Sequence, residues 1–220
     1  MTSDTPEEEF APSRWERVLV RLVLSMGRSP TSSAGDGKPR GILRAFYLAE
    51  WLLQRGHDIR PMRDGGVLRY EIAPLPRGEL PLPAGPPIRA GDPVVVLHFE
   101  NAAVTAFAST ASNRRALAWG LYRETIRDLA SFAELVRRNE ISVSVRAVWT
   151  ETLVYSALAV GGFHTRAASP SVRTSFARLY FLALMAIYSH NGVERLSRGR
   201  LDHFRLGEAW IGMDELLQRF

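Results

Sequence analysis

The stretch GDPVVVLHFEN, Gly91 to Asn101, decides the fold. Three consecutive valines, then Leu97 and Phe99, follow a Gly-Asp-Pro turn and stop at an asparagine. That composition predicts a β-strand over 94–100. Side chains alternate along a strand, so Val94, Val96, His98 and Glu100 share one face, and Val95, Leu97 and Phe99 the other. Two polar groups at the end of an otherwise apolar strand lie roughly 6–7 Å apart, close enough for one ligand to span.

Working outward, residues 74–93 hold seven prolines, at 74, 76, 81, 83, 86, 87 and 93. No helix or central strand tolerates that density, so the stretch wraps the surface in extended form. Val67 to Ala73 reads as a strand after the Asp64-Gly65-Gly66 turn. On the other side, a long helix is expected over 113–138, with Trp119, Tyr122, Ile126, Leu129, Ala133 and Val136 as its buried stripe. A strand over 141–149, a helix over 151–160, a short strand through Phe163 and a helix over 171–189 follow, the last stopped by Asn191-Gly192. Residues 204–211 read as a last strand, and Met213 to Phe220 as a closing helical turn. Upstream, 1–12 is an acidic tail expected to be disordered. Helices over about 13–26 and 42–55 flank a Ser/Gly/Pro-rich segment, 28–41, expected to be mobile. The sum is an α+β domain over 13–220: a small mixed sheet of four to five strands, helices packed on one face, and two N-terminal helices.

Composition bounds the chemistry. Of 220 residues 46% are apolar and 23% charged, as in globular domains. There is no cysteine, which excludes a thiol nucleophile, an iron–sulfur cluster, a Cys-type zinc site and any disulfide. The net charge is +5, and Lys38 is the only lysine, so the excess is carried by arginine. Those arginines are scattered rather than gathered on a stripe, which argues against nucleic acid and leaves a small-molecule or glycan ligand, or a protein partner. No segment reaches the length of a membrane span, and Val18 to Met26 lacks the features of a signal peptide, so a cytoplasmic location is expected.

No phosphate-binding loop, dinucleotide fingerprint or His-Glu-x-x-His motif is present, and no cofactor is specified. The candidate groups are therefore few. His98 and Glu100 form the best local pair, an imidazole beside a carboxylate suited to acid/base work or to a metal. His190, at the end of the 171–189 helix, is the third candidate for catalysis. His164, His203 and Asp202 could join a metal site, although no spacing argues that they converge. Trp51, Trp119, Trp149 and Trp210 sit in apolar patterns and are expected in the core; any of them could instead offer a ring face to a sugar. His57 reads as a helix-exit residue.

Several stretches together resemble the YkoP-like domain family. The resemblance rests on Gly91-Asp92-x-Val94-x-x-Leu97-His98-x-x-Asn101, then Thr152, Gly162-Phe163, and the ending Trp210-Ile211-x-x-x-Glu215-Leu216-Leu217-x-Arg219-Phe220, a core of about 85–220. Gly212-Met213 stands where the family has Ser-Arg, so a role for that arginine does not transfer. The family is found in small bacterial proteins and beside polysaccharide deacetylases. The resemblance implies a place in cell-envelope carbohydrate or lipid-linked sugar metabolism. By that resemblance His98 and Asn101 are the residues to test. With the arginine excess and the absence of a catalytic signature, it leads to the expectation of a non-catalytic binding or accessory module for a cell-envelope carbohydrate or anionic lipid-linked ligand, with His98, Asn101, His164 and Trp210 as ligand-binding residues. The alternative is a small enzyme using His98, Glu100 and His190 as acid/base or metal-binding groups.

Overall fold

The alternating run at 68–74 and the valine-rich run at 93–99 pair along their whole length. The computed structural model describes residues 57–182 and 205–220, except 111, 113, 142–143, 154, 170, 172–173, 176, 179 and 181. Strands β1 (Arg60–Pro61), β2 (Leu68–Pro74), β5 (Pro93–Phe99), β6 (Ala147–Thr152), β7 (His164–Ala167) and β8 (Gly207–Gly212) form one mixed sheet in the order β1-β2-β5-β6-β8-β7. A separate ladder joins β3 (Glu79–Leu80) to β4 (Ile88–Arg89). Four helices accompany them among the described residues: α1 (Asn101–Thr110), α2 (Arg114–Arg137), α3 (Tyr155–Val160) and α4 (Met213–Arg219). Helical backbone also recurs among the described residues between 174 and 182. The class is α+β, as expected, with six strands in the main sheet rather than four to five.

β2 and β5 are antiparallel over their whole length, from Leu68 opposite Phe99 to Pro74 opposite Pro93. β5 and β6 are parallel. Parallel neighbours need a crossover, and α1 and α2 supply it. The first face of the sheet carries Leu68, Tyr70, Val95, Leu97, Val148, Ala209 and Ile211, packed on Leu129, Phe132 and Ala133 of α2 and on Met213 and Leu216 of α4. Tyr70 meets Phe132 edge-on at 5.0 Å.

Among the described residues, the second face has no helix in its apolar cluster. The proline-rich strap covers it, with Leu75, Leu80 and Ile88 fully buried over Val94, Ala147, Trp149 and Trp210. Polar ties hold it there: the Trp210 indole donates to the Pro81 carbonyl at 2.8 Å, Arg166 Nη1 donates to the Glu79 carbonyl at 2.8 Å, and Arg146 reaches the Pro86 carbonyl. Extended, proline-rich chain suits this duty, because prolines bring no amide donors that burial would leave unpaired.

α2 is anchored to the start of β2 by a fully buried carboxylate. Asp128 accepts the backbone N–H groups of Val67 at 2.7 Å and Leu68 at 2.8 Å, and Nε of Arg63 at 2.9 Å. Arg63 also pairs with Glu124 one turn earlier, at 2.7 Å. Gly66 is obligatory here, since a β-carbon would run into the Asp128 carboxylate.

Several sequence expectations are corrected. The strand expected over 141–149 begins only at Ala147 and runs on to Thr152, so the helix expected from 151 starts at Tyr155. Ile141 and Val145 are buried as core contacts of a connecting segment, which mimics a strand in composition. The last strand is shifted to 207–212, and α1 was not foreseen: its Ala-rich run lacks a strong apolar period. Trp119, placed in the buried stripe, is 65% exposed and stacks on Tyr122 at 5.7 Å. The buried face of α2 is rotated toward Gly120, Glu124, Thr125 and Asp128, because two of its inward groups are charged anchors that a hydropathy pattern assigns to solvent. The tail, the two N-terminal helices and the 28–41 segment lie outside the described residues.

Removing the anchor should cost far more than a surface ion pair. Asp128→Ala is expected to lower unfolding stability by about 3–5 kcal/mol, since it leaves two buried amides without their acceptor and removes one of the two carboxylates that Arg63 contacts. Urea unfolding of the intact chain measures this. A loss below about 1 kcal/mol, the worth of an exposed pair, would show that the anchor is incidental.

Candidate functional site

β5 carries His98 to the end of the second face, beyond the edge of the strap's apolar cluster. Its cross-strand partner is Arg69. On the other side, the parallel register of Val96 with Trp149, extended by two residues, sets His98 beside Glu151. The Thr150 hydroxyl donates to the Leu97 carbonyl at 3.2 Å, which holds the strands together at that level. Asn101 opens α1 three residues further on. The site therefore lies at the C-terminal ends of two parallel strands, a common place for ligands in α/β sheets.

His98 is gripped by a carboxylate other than the expected Glu100. Glu71 Oε1 lies 3.0 Å from His98 Nε2, and Glu71 Oε2 lies 2.6 Å from His57 Nδ1. Glu71 is 10% exposed at its side chain, His98 36% and His57 52%. One nearly buried carboxylate thus orients two imidazoles that reach toward solvent. A neutral imidazole facing a carboxylate donates its N–H to it, so His98 presents Nδ1 as an acceptor. Glu100 instead pairs with Arg69.

Burial pushes the His98 pKa below its ordinary 6.5; the hydrogen bond and charge of Glu71 oppose this, and His57 adds to the lowering. His98 is accordingly neutral near pH 7. The unfolded chain takes up a proton at this residue near pH 6.5, while the folded chain does so only at lower pH. Its contribution to stability is complete above about 6.5 and is lost as pH falls through the folded value.

A second polar group occupies the far half of the same face. Glu151 and Glu208 oppose each other on β6 and β8. Arg77 of the strap pairs with Glu151 at 2.6 Å and approaches Glu208 at 3.6 Å, and Arg166 pairs with Glu208 at 2.6 Å. Next to them, His164 lies opposite Trp210 and contacts Glu215 at 3.0 Å. Trp210 is buried, with its ring tilted against His164 at 5.7 Å and under the Arg166 guanidinium at 5.3 Å.

The structure thus divides the residues singled out by sequence. His98, Glu100 and Asn101 come together at the end of β5. Trp210 on β8 and His164 on β7 come together two and three strand spacings away, about 10 and 14 Å. His190, His203 and Asp202 lie outside the described residues. Among the described residues no group of three His, Asp or Glu side chains is arranged to hold a metal ion. No helix among them is long and apolar enough to cross a membrane.

Sequence reasoning missed Glu71, Glu151, Glu208, Arg77 and Arg166. A signal for Glu71 existed: it is a lone acid between Tyr70 and Ile72 in a strand, on the face opposite Leu68 and Tyr70. Its partnership with His98 spans 27 residues of sequence and has no local signature.

Fold and site together define an α+β domain with a carboxylate-oriented imidazole at the carboxyl ends of a parallel strand pair. The chain belongs to the YkoP domain family, whose profile matches residues 39–220. That match covers most of the chain, including β1 and β2, which lie ahead of the 85–220 motifs. No curated protein and no solved structure matches it.

An NMR titration of the His98 ring should give a pKa below that of a free imidazole. Glu71→Gln removes the charge that favours the imidazolium, so the value should fall further. An unchanged value in that variant would show that Glu71 does not act on His98.

Proposed function

We propose that the chain is a binding module for a sugar-bearing ligand of the cell envelope, held at the end of β5 by His98 and Asn101. The observation that carries this reading is the Glu71–His98 pair: a neutral, half-exposed imidazole fixed by a nearly buried carboxylate. Such a ring offers a pre-oriented acceptor to a ligand hydroxyl, and pre-orientation removes part of the entropic cost of binding. Neighbouring polar groups, Arg69, Glu100 and Glu151, supply the further donors and acceptors that a polyol needs. The company that the family resemblance implies points to carbohydrate or lipid-linked sugar, and the proposed place of action is the cytoplasm.

A second reading is favoured by the same pair. An imidazole oriented by a carboxylate, with Nδ1 outward, is also the geometry of a general base. In that case Glu71 takes the part that sequence gave to Glu100.

The test is a glycan screen followed by calorimetry on the intact chain. His98→Ala and Asn101→Ala should each abolish binding while Tm holds. Binding that survives both substitutions, or variants that simply unfold, would end the proposal. Mass spectrometry of the bound glycan separates the readings: a new product that disappears in Glu71→Gln establishes turnover, and unchanged glycan supports the module.

A further inference from the structure

Among the described residues, the buried carboxylates of this arginine-rich chain are matched by guanidiniums, with one exception. Asp128 and Glu124 contact Arg63. Glu208 contacts Arg166, and Glu151, whose side chain is 9% exposed, contacts Arg77. Glu71 is comparably buried, and its contacts are the two imidazoles of His57 and His98. The guanidinium nearest along its own strand, Arg69, is paired with Glu100. Burying a carboxylate is costly unless a positive charge or several hydrogen bonds compensate it.

Glu71 also lies beside two side chains that reach solvent, His57 at 52% and His98 at 36% exposure. A carboxylate has about four lone-pair directions, and the two imidazoles occupy two of them. Among the described residues, the charged groups at this end of the sheet include Glu71, Glu100, Glu151 and Arg69, with the His57 and His98 rings, Arg77 turned onto Glu151 and the exposed Asp58–Arg60 pair beside His57. Carboxylates predominate there, although the chain as a whole carries +5. A phosphate brought to His98 would meet that local excess of negative charge. An ammonium would meet Glu71.

We infer that the sugar bound at His98 carries a protonated primary amine, and that Glu71 is the residue that selects it. This rests on the sugar-binding reading above and narrows it, setting the phosphate of a lipid-linked ligand away from Glu71. The amine donates to Glu71 beside the two imidazoles, while Nδ1 of His98 accepts from an adjacent hydroxyl. A neutral N-acetyl group in the amine's position forfeits the charge interaction and adds bulk against His57.

Calorimetry of the intact chain near neutral pH and low salt, with three probes, tests this. The probes are glucosamine oligomers, N-acetylglucosamine oligomers of equal length, and glucose 6-phosphate. The amine oligomer should bind about tenfold or more tighter than its acetylated twin, the worth of one charge-assisted hydrogen bond. The phosphate should bind most weakly. Glu71→Gln, which keeps the side chain's shape, should bring the two oligomers to near-equal affinity. Raised salt should narrow the difference in the unmodified protein, a readout that needs no variant. Equal affinity for the two oligomers, preference for the phosphate, or a zinc ion that binds and displaces the amine would each overturn the inference while leaving sugar binding intact. Absence of binding by every probe would remove the underlying reading as well.

Discussion

A carboxylate with no exposure to water must have its lone pairs met by protein, and Asp128 is met from three directions. Two of its donors are the first amide of the strand that pairs with β5 and the amide just before it, and the third is the arginine just before the turn. This fixes the long helix over the beginning of β2, and so fixes which face of the sheet that helix covers. The edge-on contact of Tyr70 with Phe132 and the burial of Leu129 and Ala133 follow from that placement. Were the helix free to slide by a turn, Leu68 and Tyr70 would lose their cover, and the alternation of β5 would have no preferred side.

With one face committed to helices, everything on the alternate positions must find another cover or remain open. Val94, Ala147, Trp149 and Trp210 are covered by the strap. The polar positions at the far end, Arg69, Glu71 and His98, extend past it. The division between core and site on this face is therefore a matter of how far the strap reaches along β5. Trp149 marks the boundary: its indole nitrogen is buried and, among the described residues, is the side-chain polar atom without a hydrogen-bond partner.

The local parts of this arrangement were legible in the residues. The Gly-Asp-Pro turn, the valine run and the asparagine bounded β5 to within a residue, and the proline density forced an extended wrap over 74–93. His98 was placed on the right face by alternation alone. What could not be read was whatever depended on partners distant in the chain. Glu100 was the nearest acid in sequence, but Arg69 takes it and Glu71 arrives from the neighbouring strand. Trp119 looked buried because the helix period was anchored on apolar residues, whereas the inward face of α2 is set by Glu124 and Asp128. His164 and Trp210 were grouped with His98 as ligand-binding residues, but strand order puts β6 between His98 and Trp210, and β6 and β8 between His98 and His164.

The proline content of the strap has a bearing on how molecules of this protein behave toward one another. Chain that lies flat over a sheet can be borrowed by a neighbour only if it can form a continuous ladder there, and a segment broken by seven prolines offers too few amide donors to do so. The layer shielding the two tryptophans is thereby a poor template for strand exchange, and crowded copies of the molecule gain little by trading it.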